Sequence, residues 1–260
     1  MASKKDWKKT KTIYWKDELN DDFDEVGLER PKVPSNYRYL RRFHVSAWLT
    51  YYLFAKPVLG SYCFFHGIKV KGKENLKKLK KTGYFLYSNH VAISDVFKFA
   101  SYAIGTKRVN IIGYSDSLSI KAIRPLLRGL GYLPIPDDIE NMKKLKDAVH
   151  KLVDKKEVVL IYPEAHIWPY YTKIRNFKDV SFSYPAEFNK PVLPAVTIWR
   201  GKPGRKPKQT IVFGKPIYPN PELTPLENKK FLHEQCLLEM KEISEKYSQV
   251  EYIKYIKVED

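Results

Sequence analysis

Cysteine is scarce in this chain: only two occur among 260 residues. Cys63 and Cys236 lie far apart in apolar surroundings, so they form neither the close spacing of a metal site nor a disulfide framework. Two isolated thiols are typical of a protein in a reducing compartment. We therefore expect a location that faces the cytosol.

The chain also lacks an apolar run of the roughly 20 residues that a helix needs to cross a bilayer. Within its most apolar part, 43–68, the uncharged stretches 45–55 and 57–65 are separated by Lys56. The N-terminus shows no apolar stretch followed by a small-residue cleavage site, so a secretory signal is not expected.

Aromatic side chains are concentrated within residues 36–68. They are of the kinds enriched at membrane interfaces, and basic residues flank them on both sides. We expect two short helices that lie in one leaflet and associate the protein with the cytoplasmic face of a membrane. A buried hairpin of the core is the alternative that the sequence leaves open. The aromatic residues are Trp48, Tyr51, Tyr52, Phe54, Tyr62, Phe64 and Phe65.

Acidic residues are few relative to basic ones, 29 against 47, which gives a formal net charge of +18. Such a surface attracts anionic partners: nucleic acid, an anionic membrane, or phosphorylated and CoA-like substrates. Nucleic acid is not expected, because the basic residues are scattered and no paired zinc ligands or aromatic reader strand occurs. Residues 1–35 are polar and predict an arm that is disordered or laid over the surface.

Short apolar stretches alternate with helical patterns through residues 69–260, which we interpret as one α/β domain. This alternation predicts a mostly parallel, mixed sheet flanked by helices. The expected strands are 84–87, 109–113, 131–135, 158–162, 192–199 and 210–213, and the expected helices are 96–103, 118–127, 139–153 and 231–247.

His90 occupies the turn between a predicted strand, 84–87, and the following helix. In α/β folds, ligands bind at this end of the strands. Asp95, in the first helical turn, can reach an imidazole N–H, fix the tautomer and leave the other nitrogen as a base. The nucleophile would then be a hydroxyl of the substrate. A loop histidine beside a capping aspartate, with no chemistry, is the other interpretation.

A second strand, 158–162, ends in Pro163 and Glu164, and the proline would present the carboxylate to the same edge of the sheet. An ordinary exposed turn glutamate is the alternative. Glu164 and His166 are spaced like a pair of metal ligands, but no further ligands cluster near them, so no metal is expected.

Four stretches resemble the motifs of the glycerolipid acyltransferases, the family that includes 1-acylglycerol-3-phosphate acyltransferase, and they occur in that family's order over residues 68–215. Asn89, His90 and Asp95 match Asn-His-x-x-x-x-Asp. Residues 129–136 are similar to the Gly-x-Ile-x-Ile-x-Arg strand, 162–165 to Phe-Pro-Glu-Gly, and 192–196 to Val-x-Pro-x-Val.

The resemblance has departures near the acceptor site. Pro136 stands where the family has the arginine associated with the acceptor's phosphate, and Ala165-His166-Ile167 replaces Gly-Thr-Arg. We expect Lys173 or Arg175 to supply the charge missing after Glu164, and Lys143, Lys144, Lys173, Arg175 or Lys178 to compensate for the arginine missing at position 136.

The resemblance implies an O-acyltransferase that moves a fatty acyl group from acyl-CoA or acyl-carrier protein to a lysophospholipid hydroxyl, with 1-acylglycerol-3-phosphate as the leading acceptor. His90 and Asp95 would be catalytic, and Asn89, Glu164, Lys173, Arg175 and Lys178 would bind substrate. The acyl donor is a co-substrate, and no cofactor or metal is implied. An anionic membrane surface is the expected partner, and the alternatives are a related enzyme with a different acceptor and a basic nucleic-acid-binding protein.

Overall fold

The computed structural model describes residues 11–23, 29–40, 45–92, 94–119, 127, 129–202, 205–248 and 250–258. These residues form an α/β protein with one large sheet and one small one. In chain order the strands are β1 Lys11–Trp15, β2 Lys69–Lys71, β3 Tyr84–Ser88, β4 Val109–Gly113, β5 Tyr132–Pro134, β6 Val158–Ile161, β7 Val192–Arg200, β8 Lys208–Phe213 and β9 Ile253–Lys257.

The large sheet has the strand order β2-β8-β7-β3-β6-β4-β5. Within the described residues all neighbours are parallel except β7 and β8, which form an antiparallel hairpin. The predicted mostly parallel, mixed sheet is therefore confirmed. Because β7, β3 and β6 are adjacent and parallel, their carboxyl ends meet at one edge, where the candidate residues lie.

Helices flank this sheet, and the two longest have defined N-termini. The Asp138 side chain accepts from the Asn141 N–H to start α5, and Thr224 with Glu227 forms a capping box that starts α7. The helices are α1 Val45–Leu49, α2 Lys56–Phe65, α3 Lys73–Lys78, α4 Asp95–Lys98, α5 Ile139–Asp154, α6 Ser183–Glu187 and α7 Pro225–Tyr247.

Most predicted elements occur within a residue or two of their expected bounds. The last helix begins six residues earlier than its apolar pattern indicated, because the capping box and Pro225 set its start. The helix expected over 118–127 meets a 3₁₀ turn at Ser115–Ser119, and most of its remainder lies outside the described residues.

The aromatic segment is one helical run, so the predicted division into two helices at Lys56-Pro57 is wrong. A π-helical stretch, Thr50–Ala55, joins α1 to α2, and the backbone at both junctions stays in the right-handed helical region. Pro57 has no N–H to donate, and the wider π turn before it accommodates that missing hydrogen bond.

This run buries one side and exposes the other. Tyr51 and Cys63 face the protein, and the Tyr51 hydroxyl donates to the Ala100 carbonyl at 3.1 Å. The outer side is apolar and exposed: Val45, Trp48, Leu49, Leu53, Phe54, Val58, Tyr62, Phe64 and Phe65. Among the described residues, no helix has the length and apolarity needed to cross a membrane.

The small sheet pairs the two ends of the chain. β1 and β9 run parallel, with Lys11 opposite Ile253 and Trp15 opposite Lys257. The charge pattern of residues 1–35 did not predict this strand; residues 1–10 and 24–28 of that arm lie outside the described residues. Residues 11–23 of the arm thus lie over the protein. The ring centroids of Trp15 and Trp168 are 5.3 Å apart.

Candidate active site

Asn89 fixes the corner that follows β3. Its Nδ2 donates to the Thr197 carbonyl on β7 at 3.1 Å, and the Thr197 N–H donates to its Oδ1 at 2.8 Å. A carboxamide carries a donor and an acceptor side by side, as a peptide group does. The Asn89 side chain therefore continues the hydrogen bonding between β3 and β7 beyond the end of β3. The Asn89 side chain is bonded to the backbone here, and its contact with substrate stays a prediction.

Asp95 begins α4, and its carboxylate turns back toward this corner. Oδ2 accepts from the N–H groups of Val91 at 2.9 Å and Ala92 at 2.8 Å, and it lies 3.4 Å from Nδ1 of His90. Because a carboxylate only accepts, the contact assigns the imidazole proton to Nδ1 and leaves Nε2 as the acceptor. The contact that the spacing predicted is present.

Lys98 joins the same group, although the motif did not single it out. Its Nζ contacts Oδ1 of Asp95 and donates to Oε1 of Gln209 on β8 at 2.6 Å. Both charged side chains of this ion pair have no exposed surface. Burial alone would raise the pKa of the Asp95 carboxyl, but Lys98 and His90 together lower it to about 2. Asp95 is therefore ionised at any pH at which the enzyme would work.

The imidazole is held in a fixed orientation but is not sealed. His90 keeps 11% of its side chain exposed, whereas Asp95 keeps none. Tyr162 covers one face, with the two ring centroids 4.3 Å apart and the planes inclined by 20°. A ring that is stacked on one side and hydrogen-bonded at Nδ1 can accept a proton at Nε2 without reorienting.

Glu164 supports the corner from β6. Its Oε2 accepts from the His90 N–H at 3.3 Å and from Nη2 of Arg175 at 3.1 Å, while Oε1 accepts from the Arg175 N–H at 3.0 Å. Burial raises the pKa of the Glu164 carboxyl, and Arg175 offsets part of this rise. Glu164 is thus buried and links the His90 backbone to Arg175 by hydrogen bonds. It is not an exposed turn glutamate.

Arg175 is the cation that pairs with Glu164, as the missing basic residue after the glutamate led us to expect. Its side chain has no exposed surface, and its guanidinium carbon lies 4.7 Å from the Trp168 ring centre. Lys173 and Lys178 are exposed. No hydrogen bond or ion pair within the described part of the chain joins either lysine to His90 or Glu164.

Ala165 adopts the conformation that a glycine would normally supply. Its φ is +63°, in the left-handed region. A Cβ in this region costs about 1–2 kcal/mol. The loop therefore keeps the backbone shape expected of Pro-Glu-Gly, even though this chain has alanine there.

His166 contacts the N-terminal arm. Its Nδ1 lies 3.2 Å from Oδ2 of Asp22. In the described ranges, no three His, Cys, Asp or Glu side chains gather as a metal site would require. Trp168 also joins this loop to the arm, because its Nε1 donates to the Asp21 carbonyl at 2.8 Å. The arm that covers this loop was not identified as part of the site from sequence, because its contacts join residues about 150 positions apart.

The structure therefore gathers Asn89, His90, Asp95, Glu164 and Arg175 at one edge of the sheet and adds Lys98 and Tyr162 to them. Nothing in the local pattern marks Tyr162 except that the motif normally has phenylalanine there. For Lys98, the available signal was its position three residues after Asp95, which places both on one side of a helix.

The chain is similar to known proteins in both sequence and fold. The model of the family described as Acyltransferase matches residues 67–198, about half of the chain, which include His90, Asp95 and Glu164. Among solved structures, the fold is similar to the crystal structure of the 1-acyl-sn-glycerophosphate (LPA) acyltransferase PlsC from Thermotoga maritima. That match has a TM-score of 0.52 and 17% identity, and covers 75% of this chain and 83% of that one.

A search of curated protein sequences finds no significant match. The family match over residues 67–198 confirms the resemblance seen in the four motifs. The chain belongs to the acyltransferase family and is an acyltransferase.

Proposed function

We propose that the protein transfers a fatty acyl group from acyl-CoA or acyl-carrier protein to a lysophospholipid hydroxyl, converting 1-acylglycerol-3-phosphate to phosphatidic acid. The observation that carries this proposal is the 3.4 Å contact between Nδ1 of His90 and Oδ2 of Asp95 beside a partly exposed imidazole. The similar fold of an LPA acyltransferase and the order of the four motifs support the choice of acceptor.

In this scheme, Nε2 of His90 takes the proton of the acceptor hydroxyl as its oxygen attacks the thioester carbonyl carbon. A C–O bond forms, and the carbonyl oxygen becomes an oxyanion. Asp95 stabilises the imidazolium through Nδ1–H. The oxyanion then re-forms the carbonyl as the C–S bond breaks, and the leaving thiolate takes the proton from Nε2 of His90. The scheme requires no cofactor or metal, because the donor carries its own activated acyl group.

The acceptor's phosphate needs cations, and the usual position does not supply one. Pro136 is buried after β5 where the family has arginine. We assign this role to the exposed Lys173 and Lys178, with Arg175 acting indirectly through its hold on Glu164. A relative that acylates another lysophospholipid is the second candidate, and the missing arginine favours it.

The exposed apolar side of residues 45–65 is the surface we assign to the membrane, at its cytoplasmic face. Phe54 and Phe65 are 67% and 82% exposed. Aromatic residues of this kind partition into the interface of a bilayer, and the +18 net charge favours anionic lipid. A substrate with an acyl chain and a charged head group resides in that interface, so binding there would bring the enzyme to its acceptor.

A thiol-release assay with palmitoyl-CoA and a panel of lysophospholipids tests the activity. We expect release to depend on 1-acylglycerol-3-phosphate and to fall by about 10²- to 10⁴-fold in His90→Ala. His150→Ala is the matched control, since His150 is half exposed on α5 and contacts Asp154. Full activity in His90→Ala would reject the mechanism, and release with a different acceptor would support the second candidate.

Flotation with vesicles of phosphatidylcholine and phosphatidylglycerol tests the membrane assignment. The double variant Phe54→Glu/Phe65→Glu should float markedly less than the unaltered protein. Val180→Glu is the control, because Val180 is 67% exposed but lies outside this segment. Equal flotation of the double variant and the control would show that the segment does not bind the bilayer.

A further inference from the structure

Tyr162 is the residue directly after β6, and its position beside His90 is set by the sheet. β3 and β6 pair in register with Tyr87 opposite Ile161, so the residues that follow each strand leave the sheet together. The rings of His90 and Tyr162 stack there at 4.3 Å. The phenolic oxygen is rigidly attached to a ring that stacks on the candidate base.

The Tyr162 hydroxyl oxygen is buried and has no hydrogen-bond partner among the described residues. Leaving a buried hydroxyl unsatisfied is unfavourable, because the hydrogen bonds it gave up to water are not replaced. Other buried tyrosines of this protein avoid that cost: Tyr87 donates to the Ser181 carbonyl at 2.9 Å, and Tyr51 donates to the Ala100 carbonyl. A phenylalanine at position 162, as in the family's motif, would stack on His90 equally well without this cost.

Two of the other buried polar atoms that lack partners among the described residues belong to a strand that neighbours β3. These atoms are Oγ1 of Thr197 and Nε1 of Trp199. Both belong to β7, which pairs with β3 on the side opposite β6. The Thr197 backbone is the one that holds Asn89. A buried polar group without a protein partner, such as the Tyr162 hydroxyl stacked on His90, indicates a place where a polar ligand can bind.

The state of the Tyr162 hydroxyl determines what it can do. Burial raises its pKa well above the usual range, and the negative charge of Asp95 adds to the rise. The group therefore stays protonated and acts as a hydrogen-bond donor, not as a second base. In the transfer, the atom beside His90 that gains negative charge is the carbonyl oxygen of the thioester, and a neutral donor in a water-poor site stabilises such an oxygen well.

We propose that Tyr162 is a catalytic residue whose hydroxyl donates a hydrogen bond to the thioester carbonyl oxygen as it becomes an oxyanion. This inference rests on the acyl transfer proposed above. The hydroxyl keeps its own proton throughout: the acceptor's proton goes to Nε2 of His90 and then to the departing thiolate. The substrate thus supplies the partner that the protein does not.

The test is Tyr162→Phe, which removes one oxygen and keeps the stack on His90. We expect kcat with palmitoyl-CoA and the acceptor to fall by about 10²-fold, with KM for both substrates changed less than threefold. The melting temperature should be unchanged or higher, because an unsatisfied hydroxyl has been removed. Tyr87→Phe is the control: it loses the bond to Ser181, so it should melt earlier and keep its kcat.

Two results would overturn the inference while leaving the proposed function intact. One is a kcat in Tyr162→Phe within threefold of the unaltered enzyme; the other is a change confined to KM. Both are read against His90→Ala in the same assay. If the unaltered protein releases no thiol with any acceptor, the proposed function fails and this inference fails with it.

Discussion

Lys98 and Asp95 form an ion pair in which neither side chain is exposed to solvent, and Asp95 also contacts His90, the candidate base. Lys98 contacts Oδ1, while Oδ2 of the same carboxylate faces His90. The carboxylate is therefore shared between Lys98 and the imidazole that would take up a proton in the mechanism proposed above. The pair holds Asp95 in its ionised form and in the orientation that His90 needs.

Replacing Lys98 alone should be far more damaging than replacing the pair. In Lys98→Met, a buried carboxylate loses its counterion, and we expect the free energy of unfolding to fall by about 3–5 kcal/mol. In the double variant Lys98→Met/Asp95→Asn most of this loss should be recovered, because no uncompensated charge remains. Urea unfolding of the two single variants and the double variant measures the coupling. Additive losses would show that the pair does not act as a unit.

The pH dependence of stability should report Asp95 directly. Its folded-state pKa, about 2, lies below the ordinary value of 3.8. The unfolded chain therefore binds the proton more tightly, and the stabilisation is complete above about pH 4 and lost as the pH falls toward 2. The difference in unfolding free energy between the unaltered protein and Asp95→Asn should shrink by about 2 kcal/mol from pH 5 to pH 2. A gap that is constant over this range would contradict the shift.

Ala165→Gly should stabilise the protein. Removing the Cβ relieves a left-handed residue, and the greater freedom of glycine in the unfolded chain offsets part of the gain. We expect the free energy of unfolding to rise by up to about 1 kcal/mol. Ala148→Gly is the matched control, because Ala148 lies inside α5 and glycine there should cost about 1 kcal/mol. Equal losses in both variants would show that residue 165 is not strained.

The contact between the two chain ends and the active-site loop can be tested on adjacent residues of β1. Trp15 packs on Trp168, whereas Tyr14 points away and is 64% exposed. Trp15→Ala should lower the free energy of unfolding by about 1–3 kcal/mol, and Tyr14→Ala should change it by less than about 0.5 kcal/mol. Thermal unfolding of both variants gives the comparison. Equal effects would mean that β1 does not support the loop around Trp168.

Much of the candidate site could be predicted from local pattern. The strand that ends at residue 88 and the helix that starts at Asp95 follow from apolar runs and a helix-start residue, so the position of His90 between them was predictable. His90 and Asp95 are only five positions apart, and so short a connecting segment can adopt few conformations. Their contact could therefore be predicted from the sequence. The pairing of Arg175 with Glu164 was one of several options that composition allowed.

The sequence by itself determined the alternation of strands and helices, the family and the His90–Asp95 corner, because those signals are carried by residues that are neighbours in the chain. Only the tertiary structure decided that Gln209 accepts a hydrogen bond from Lys98 behind Asp95, that Tyr162 stacks on His90, and that β1 and β9 pair over the loop at Trp168. Those contacts join distant segments, and they depend on strand order and burial, which no local pattern encodes.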